Sequence, residues 1–194
     1  MQELRNLTDA IWINILMVVT SIPIVTVGAA ITAAHDANRR ALQGEAGGVT
    51  RNYFKAFRAN FAESTALWAV FGITGAALAY AWVVLQITPL LVPKIGLTLV
   101  WIIGFEWVFA LQARFENTVG RTLANAFIFG INHILLTVGM IVLDAIWVGL
   151  LAACWFLFPQ GLFLLVVMGY GTMILCHIPL LERGFAQYLK SGEE

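Results

Sequence analysis

The chain has 194 residues, 60% of them hydrophobic, 12% aromatic and only 11% charged, with a mean hydropathy of +0.85. Soluble domains run at roughly 45–50% apolar and about 25% charged, so a water-soluble fold is excluded and a single integral membrane domain over residues 1–194 is expected. Eleven basic residues balance eleven acidic ones, and that neutrality argues against nucleic acid as a partner.

The N-terminus carries Glu3 and Asp9 beside Arg5 and lacks a small-residue cleavage pattern, so the first apolar run reads as a retained span rather than a signal peptide. That span runs over about 11–34 and contains Ser21-Ile22-Pro23. Proline removes a backbone hydrogen bond, which predicts a kink near Thr20. His35, Asp36, Arg39 and Arg40 then leave the membrane, and Gly44-Glu45-Ala46-Gly47-Gly48 breaks the helix.

From Thr50 to Ala62 the spacing predicts an amphipathic helix. Tyr53, Phe54, Phe57 and Phe61 fill an arc of about 100°, with Arg51, Lys55 and Arg58 in the adjoining arc. Such a helix lies in the interface with its cations on lipid phosphates, or else its rings pack on the other spans. Span two follows over about 64–86, with Gly72, Gly75, Ala76 and Ala79 on a small-residue seam. After a Pro89 to Pro93 turn, span three covers about 95–113 and holds Glu106.

A second surface helix is expected from Arg114 to Phe129, with Thr118, Arg121, Thr122 and Asn125 as its polar stripe. The apolar run from Leu123 to Phe158 exceeds the about 20 residues of one span. It breaks at Gly130 to His133, leaving span four at about 134–155 with Asp144 in its middle. Span five, about 161–181, carries His177 and Pro179. Phe57, Asn60 and Thr65 share their offsets with Phe129, Asn132 and Thr137. This weak repeat reads as surface helix, polar break and span, with the polar residues capping free amides.

The predicted fold class is therefore all-α: a polytopic membrane bundle of five transmembrane helices plus two cytoplasmic interfacial amphipathic helices. Nine basic residues, Arg39, Arg40, Arg51, Lys55, Arg58, Arg114, Arg121, Arg183 and Lys190, then share one side against Arg5 and Lys94 on the other. The positive-inside rule places the N-terminus outside, the C-terminus in the cytoplasm and the surface helices on the anionic inner leaflet of a bacterial cytoplasmic membrane. Cys154 and Cys176 fall roughly 20 Å apart in depth, too far for a disulfide.

Carboxylates at bilayer depth are costly and face a bundle interior or a cavity, so Glu106, Asp144 and His177 form a candidate polar intramembrane site. Glu106 lies about 12 Å above Arg114 and His177 about 9 Å above Arg183. A Glu106–His177 hydrogen bond with Asp144 higher up is one expectation, and polar glue between helices is the other. No HExxH, no CxxC and no converging ligand set is visible, so neither a metal nor any other cofactor is expected. The absence of a Walker loop, a GxSxG elbow and a dinucleotide fingerprint argues against an enzyme. Trp12, Trp68, Trp101, Trp107, Trp147 and Trp155 include ordinary interfacial anchors.

The run Ser21 to Gly28 (SIPIVTVG), the basic exit Ala37 to Glu45 (ANRRALQGE) and the segment Phe54 to Trp68 carry a family likeness, as do Ala113 to Asn117 (ARFEN) and Asn125-Ala126. On these the chain resembles the YesL family of small bacterial membrane proteins, a domain of unknown function. The resemblance implies a non-enzymatic accessory role beside carbohydrate ABC-type uptake or its sensing, through contact with transporter membrane subunits. Phe54, Phe57, Asn60, Phe61 and Trp68 would then be the docking surface, and Arg51, Lys55 and Arg58 the headgroup contacts. The alternative is a small transporter or channel, a homo-oligomer with Glu106, Asp144 and His177 along its path.

Overall fold

A computed structural model describes residues 2–45 and 47–191; Ala46 of the glycine-rich break and the tail from Gly192 to Glu194 lie outside the described residues. Eight α-helices form among them: α1 (Gln2–Thr20), α2 (Val27–Leu42), α3 (Val49–Ala59), α4 (Phe61–Val83), α5 (Leu91–Arg114), α6 (Val119–Asn132), α7 (Ile134–Leu157) and α8 (Gly161–Ser191). No strand occurs among the described residues, and the all-α class holds.

The first expected span is not one helix. Pro23 has no N–H and pushes its predecessor out of the α region, so α1 ends at Thr20 and only a short turn, Ile24–Thr26, precedes α2. The chain also reverses there. Arg5 and Asp9 of α1 share a pocket with Ala37, Ala41 and Gly44, and Asn14 and Asn38 both bond Gly171. The two helices are thus an antiparallel hairpin, and what the sequence suggests as a kink is a full turn. Its tip is apolar, with Ile22, Ile24 and Val25 exposed. Thr26 Oγ1 donates to the carbonyls of Thr20 and Pro23 at 2.5 and 2.7 Å, satisfying backbone that lipid could not.

Helix α2 is the centre of the bundle. Every residue from Gly28 to Asn38 is buried, and the helix packs against α1, α3, α4, α5 and α8. Small side chains permit that crowding: a Cβ on Gly28 would lie 2.2 Å from the Ser64 carbonyl oxygen. Ser64 Oγ donates to Thr32 Oγ1 at 2.8 Å, so α4 runs antiparallel to α2. It passes the start of α2 near Trp68 and continues about 22 Å further to Val83 at 1.5 Å per residue. The hairpin therefore stops inside the bundle.

The aromatic face of helix α3 is divided between core and surface. Tyr53 is fully buried, with its hydroxyl 2.6 Å from Thr20 Oγ1, and burial pushes that hydroxyl's pKa up to about 12. Phe57 packs on the core, whereas Phe54 and Phe61 stay exposed. Arg51, Lys55 and Arg58 are exposed as well.

Among the described residues, four helical stretches are long and apolar enough to cross a membrane: Phe61–Val83, Thr88–Arg114, Ile134–Leu157 and Gly161–Ala186. They pair as two antiparallel hairpins, α4 with α5 and α7 with α8. On the seam of the first, Gly75 faces the Trp101 ring. At its far end Lys94 Nζ donates to the Leu85 carbonyl at 2.9 Å and lies 4.9 Å from the Trp82 ring centroid. Lys94 thus closes the C-terminal end of α4. Helix α6 packs on α5, and Trp107 Nε1 donates to Thr137 Oγ1 across to α7.

Helix α8 extends beyond the expected span and carries a non-helical residue, Gly169, at φ 51° and ψ −171°. Asn14 bridges that break. Its Nδ2 donates to the carbonyls of Val166 and Val167, and its Oδ1 accepts from the Gly171 amide. The polar breaks ahead of α4 and α7 differ from the expected amide caps. Asn60 donates to the Ala56 carbonyl, and neither helix start has a side-chain cap bond.

Candidate functional site

Two polar regions interrupt this apolar bundle. The deeper one gathers Glu106 from α5, Asp144 from α7 and His177 from α8, whose ligating atoms all lie within 4.8 Å of one another. His177 Nε2 stands 3.3 Å from Asp144 Oδ1. The direct partner of the imidazole is therefore Asp144, where counting from the basic boundary suggests Glu106 with Asp144 higher. The difference is one of pairing: α7 and α8 form one antiparallel hairpin, and α5 meets α7 from the side.

Glu106 and His177 are 8% and 2% exposed. Glu106 Oε2, Asp144 Oδ1 and His177 Nε2 are buried and make no hydrogen bond of good geometry among the described residues. His35, on the central helix, interacts with His177, and Tyr170 interacts with both carboxylates.

The second region is a cleft of about 760 Å³ at the basic end, walled by Asp36, Arg39, Lys55, Glu63, Gln112 and Glu116. Asp36 holds two arginines at once, through Oδ1 to Arg39 Nη2 and Oδ2 to Arg40 Nε, both at 2.7 Å. That bond raises the Arg40 pKa above its usual value. Glu45 takes a second hydrogen bond from Arg40. A chain of polar side chains closes the wall: Thr122 donates to Gln112, and Gln112 donates to Asn60. Between cleft and trio lies a cavity of about 20 Å³ lined by His35, Arg39, Arg114, Ile178 and Glu182. That volume suits one water molecule.

The expected docking face is reduced. Phe57 and Trp68 pack on the core, Asn60 bonds to Gln112, and only Phe54 and Phe61 remain exposed. Sequence reasoning missed the cleft. Its signals were Asp36, Arg39 and Arg40 at helical spacing, and Gln112 in the last turn of α5. The reading that no ligand set converges rested on local spacing, whereas the trio is drawn from three helices that no local motif connects.

Fold and site together define a helical membrane protein with an ionisable cluster inside its bundle. Residues 10–82 match the model of a family described as a protein of unknown function, DUF624. The match takes in α1 to α4 and stops short of Glu106, Asp144 and His177. No curated protein and no solved structure matches the chain.

Proposed function

We propose that the protein is a cation-handling membrane protein, a small transporter or channel whose intramembrane site is the Glu106, Asp144 and His177 trio. The observation that carries this is the convergence of three ionisable groups from three helices in apolar surroundings, with buried oxygen and nitrogen atoms left unbonded. Such groups are rare at that depth and mark ion or proton paths. Access is from the basic end: Arg39 and Arg114 line both the cleft and the small cavity, and that cavity is also lined by His35 and by Ile178, the neighbour of His177 in sequence.

The positive-inside rule then assigns the cleft to the cytoplasmic side of a bacterial inner membrane. The chain works as a homo-oligomer, since Asp144 keeps 26% of its side chain exposed on an otherwise apolar helix. The test is a proteoliposome carrying an imposed proton gradient and an internal pH dye. Gradient collapse that is lost in Glu106→Gln and Asp144→Asn supports the reading, and equal rates in wild type and both variants end it.

A second reading, an accessory to oligosaccharide ABC-type uptake that docks on transporter membrane subunits, draws on the exposed rings of Phe54 and Phe61 beside Arg51, Lys55 and Arg58. Aromatic residues next to cations suit both an anionic leaflet and a protein partner. Its test is detergent co-purification from native membranes. A transporter subunit retained by wild type and lost in Phe54→Ser with Phe61→Ser supports it.

A further inference from the structure

We infer that the trio binds one divalent first-row transition-metal ion, of the Zn²⁺ or Mn²⁺ type, through Glu106, Asp144 and His177 Nε2; this rests on the cation-site reading and sharpens it. The first argument is orientation. The His177 ring lies against the Met140 backbone of α7, and its Nε2 is buried without a hydrogen bond of good geometry. A ring that donates through Nδ1 presents a lone pair at Nε2, which is how a backbone carbonyl fixes a metal-ligating histidine. Here Nε2 faces Asp144 Oδ1 at 3.3 Å. Two lone pairs at that distance repel unless a positive charge stands between them.

The second argument is the surroundings. Glu106 is nine-tenths buried, and its Oε2 is unbonded and within 4.8 Å of the other two ligand atoms. One dication satisfies all three atoms and neutralises both carboxylates, whereas one proton joins only two of them. The ligand set indicates the class of ion. The imidazole nitrogen suits Zn²⁺ and the two carboxylates extend the set to Mn²⁺, whereas Ca²⁺ and Mg²⁺ prefer all-oxygen sites. Three protein ligands leave a coordination position open, as sites that exchange a bound group do.

The test is Co²⁺ titration of the full chain, purified without a histidine tag, in detergent, read by visible absorption and by bound metal per chain. One Co²⁺ per chain is expected, displaced by Zn²⁺ but not by excess Mg²⁺. Glu106→Gln, which keeps size and shape, and His177→Gln, which removes the imidazole, should each weaken binding by more than the roughly 10–100-fold typical of an outer-shell change. Circular dichroism and elution volume confirm the fold of each variant, and either folded variant decides the point. Binding that persists unchanged in a folded variant overturns the site, and so does absence of Co²⁺ absorption in wild type. If Co²⁺ fails to bind while gradient collapse still requires Glu106, the metal assignment falls and the cation-site reading stands. Failure of both measurements removes both.

Discussion

At the scale of single residues, two positions bear more of the fold than their size suggests. Asn14 answers three backbone groups around the break in α8. Asn14→Ala leaves all three unpaired in the bundle, at about 1–3 kcal/mol for each buried orphan. A clear fall in the thermal midpoint of the detergent-solubilised protein is expected, and an unchanged midpoint would show that the staple is dispensable. Gly28 is constrained from the opposite direction. Its missing Cβ would sit 2.2 Å from the Ser64 carbonyl oxygen, so Gly28→Ala must part α2 from α4. Overpacking of that kind costs typically about 1–3 kcal/mol, visible in the same melt. Gly120→Ala, where the added atom meets nothing, is the control and should leave the midpoint within a few degrees of wild type.

At the scale of elements, the α1–α2 hairpin is the main departure from a simple array of spans. In a Cys154→Ser, Cys176→Ser background, Asp9→Cys and Ala41→Cys should react with a membrane-impermeant maleimide from the same side. Ile22→Cys, at the apolar tip, should react from neither. Labelling of positions 9 and 41 from opposite sides restores a crossing helix and removes the hairpin. Much at this scale was legible in the sequence. Helices α4, α5 and α7 are predominantly apolar runs of spanning length, α3 has a clean aromatic face, and the break at Gly130 to His133 falls where polar residues cluster. The hairpin was not legible because its apolar run continues through the turn. Hydropathy is blind to chain direction, and Pro23 is compatible with a kinked span as well as with a reversal. The site was half legible: buried ionisable residues announce themselves one by one, whereas their pairing depends on which helices become neighbours. The cleft was less legible still, because its walls come from four helices and a connection.

At the scale of the whole molecule, the hairpin changes the charge map. Arg5 lies beside Ala41 at the basic end, and Lys94, the basic residue at the opposite end, is occupied in closing α4. The asymmetry is therefore steeper than a count with a crossing first helix suggests, and the start of α1 and the end of α8 belong to the same face. Reporter domains fused at the N-terminus and at the C-terminus should report the same side of the membrane. Reporters active on opposite sides would contradict the fold.

The Asn14 staple also has a consequence for how the molecule is made. Its partners in α8 are synthesised about 150 residues after Asn14 itself. While the ribosome is still adding the intervening helices, α1 and α2 have no finished wall to rest against, and the amide of Asn14 has no backbone to answer. Late closure of a long loop is slow and leaves surfaces open in the meantime. A chain halted after Phe158 should insert α4, α5 and α7 yet keep its first forty residues open to added protease. Release of the complete chain should seal them, so the last helix is the latch that ends assembly.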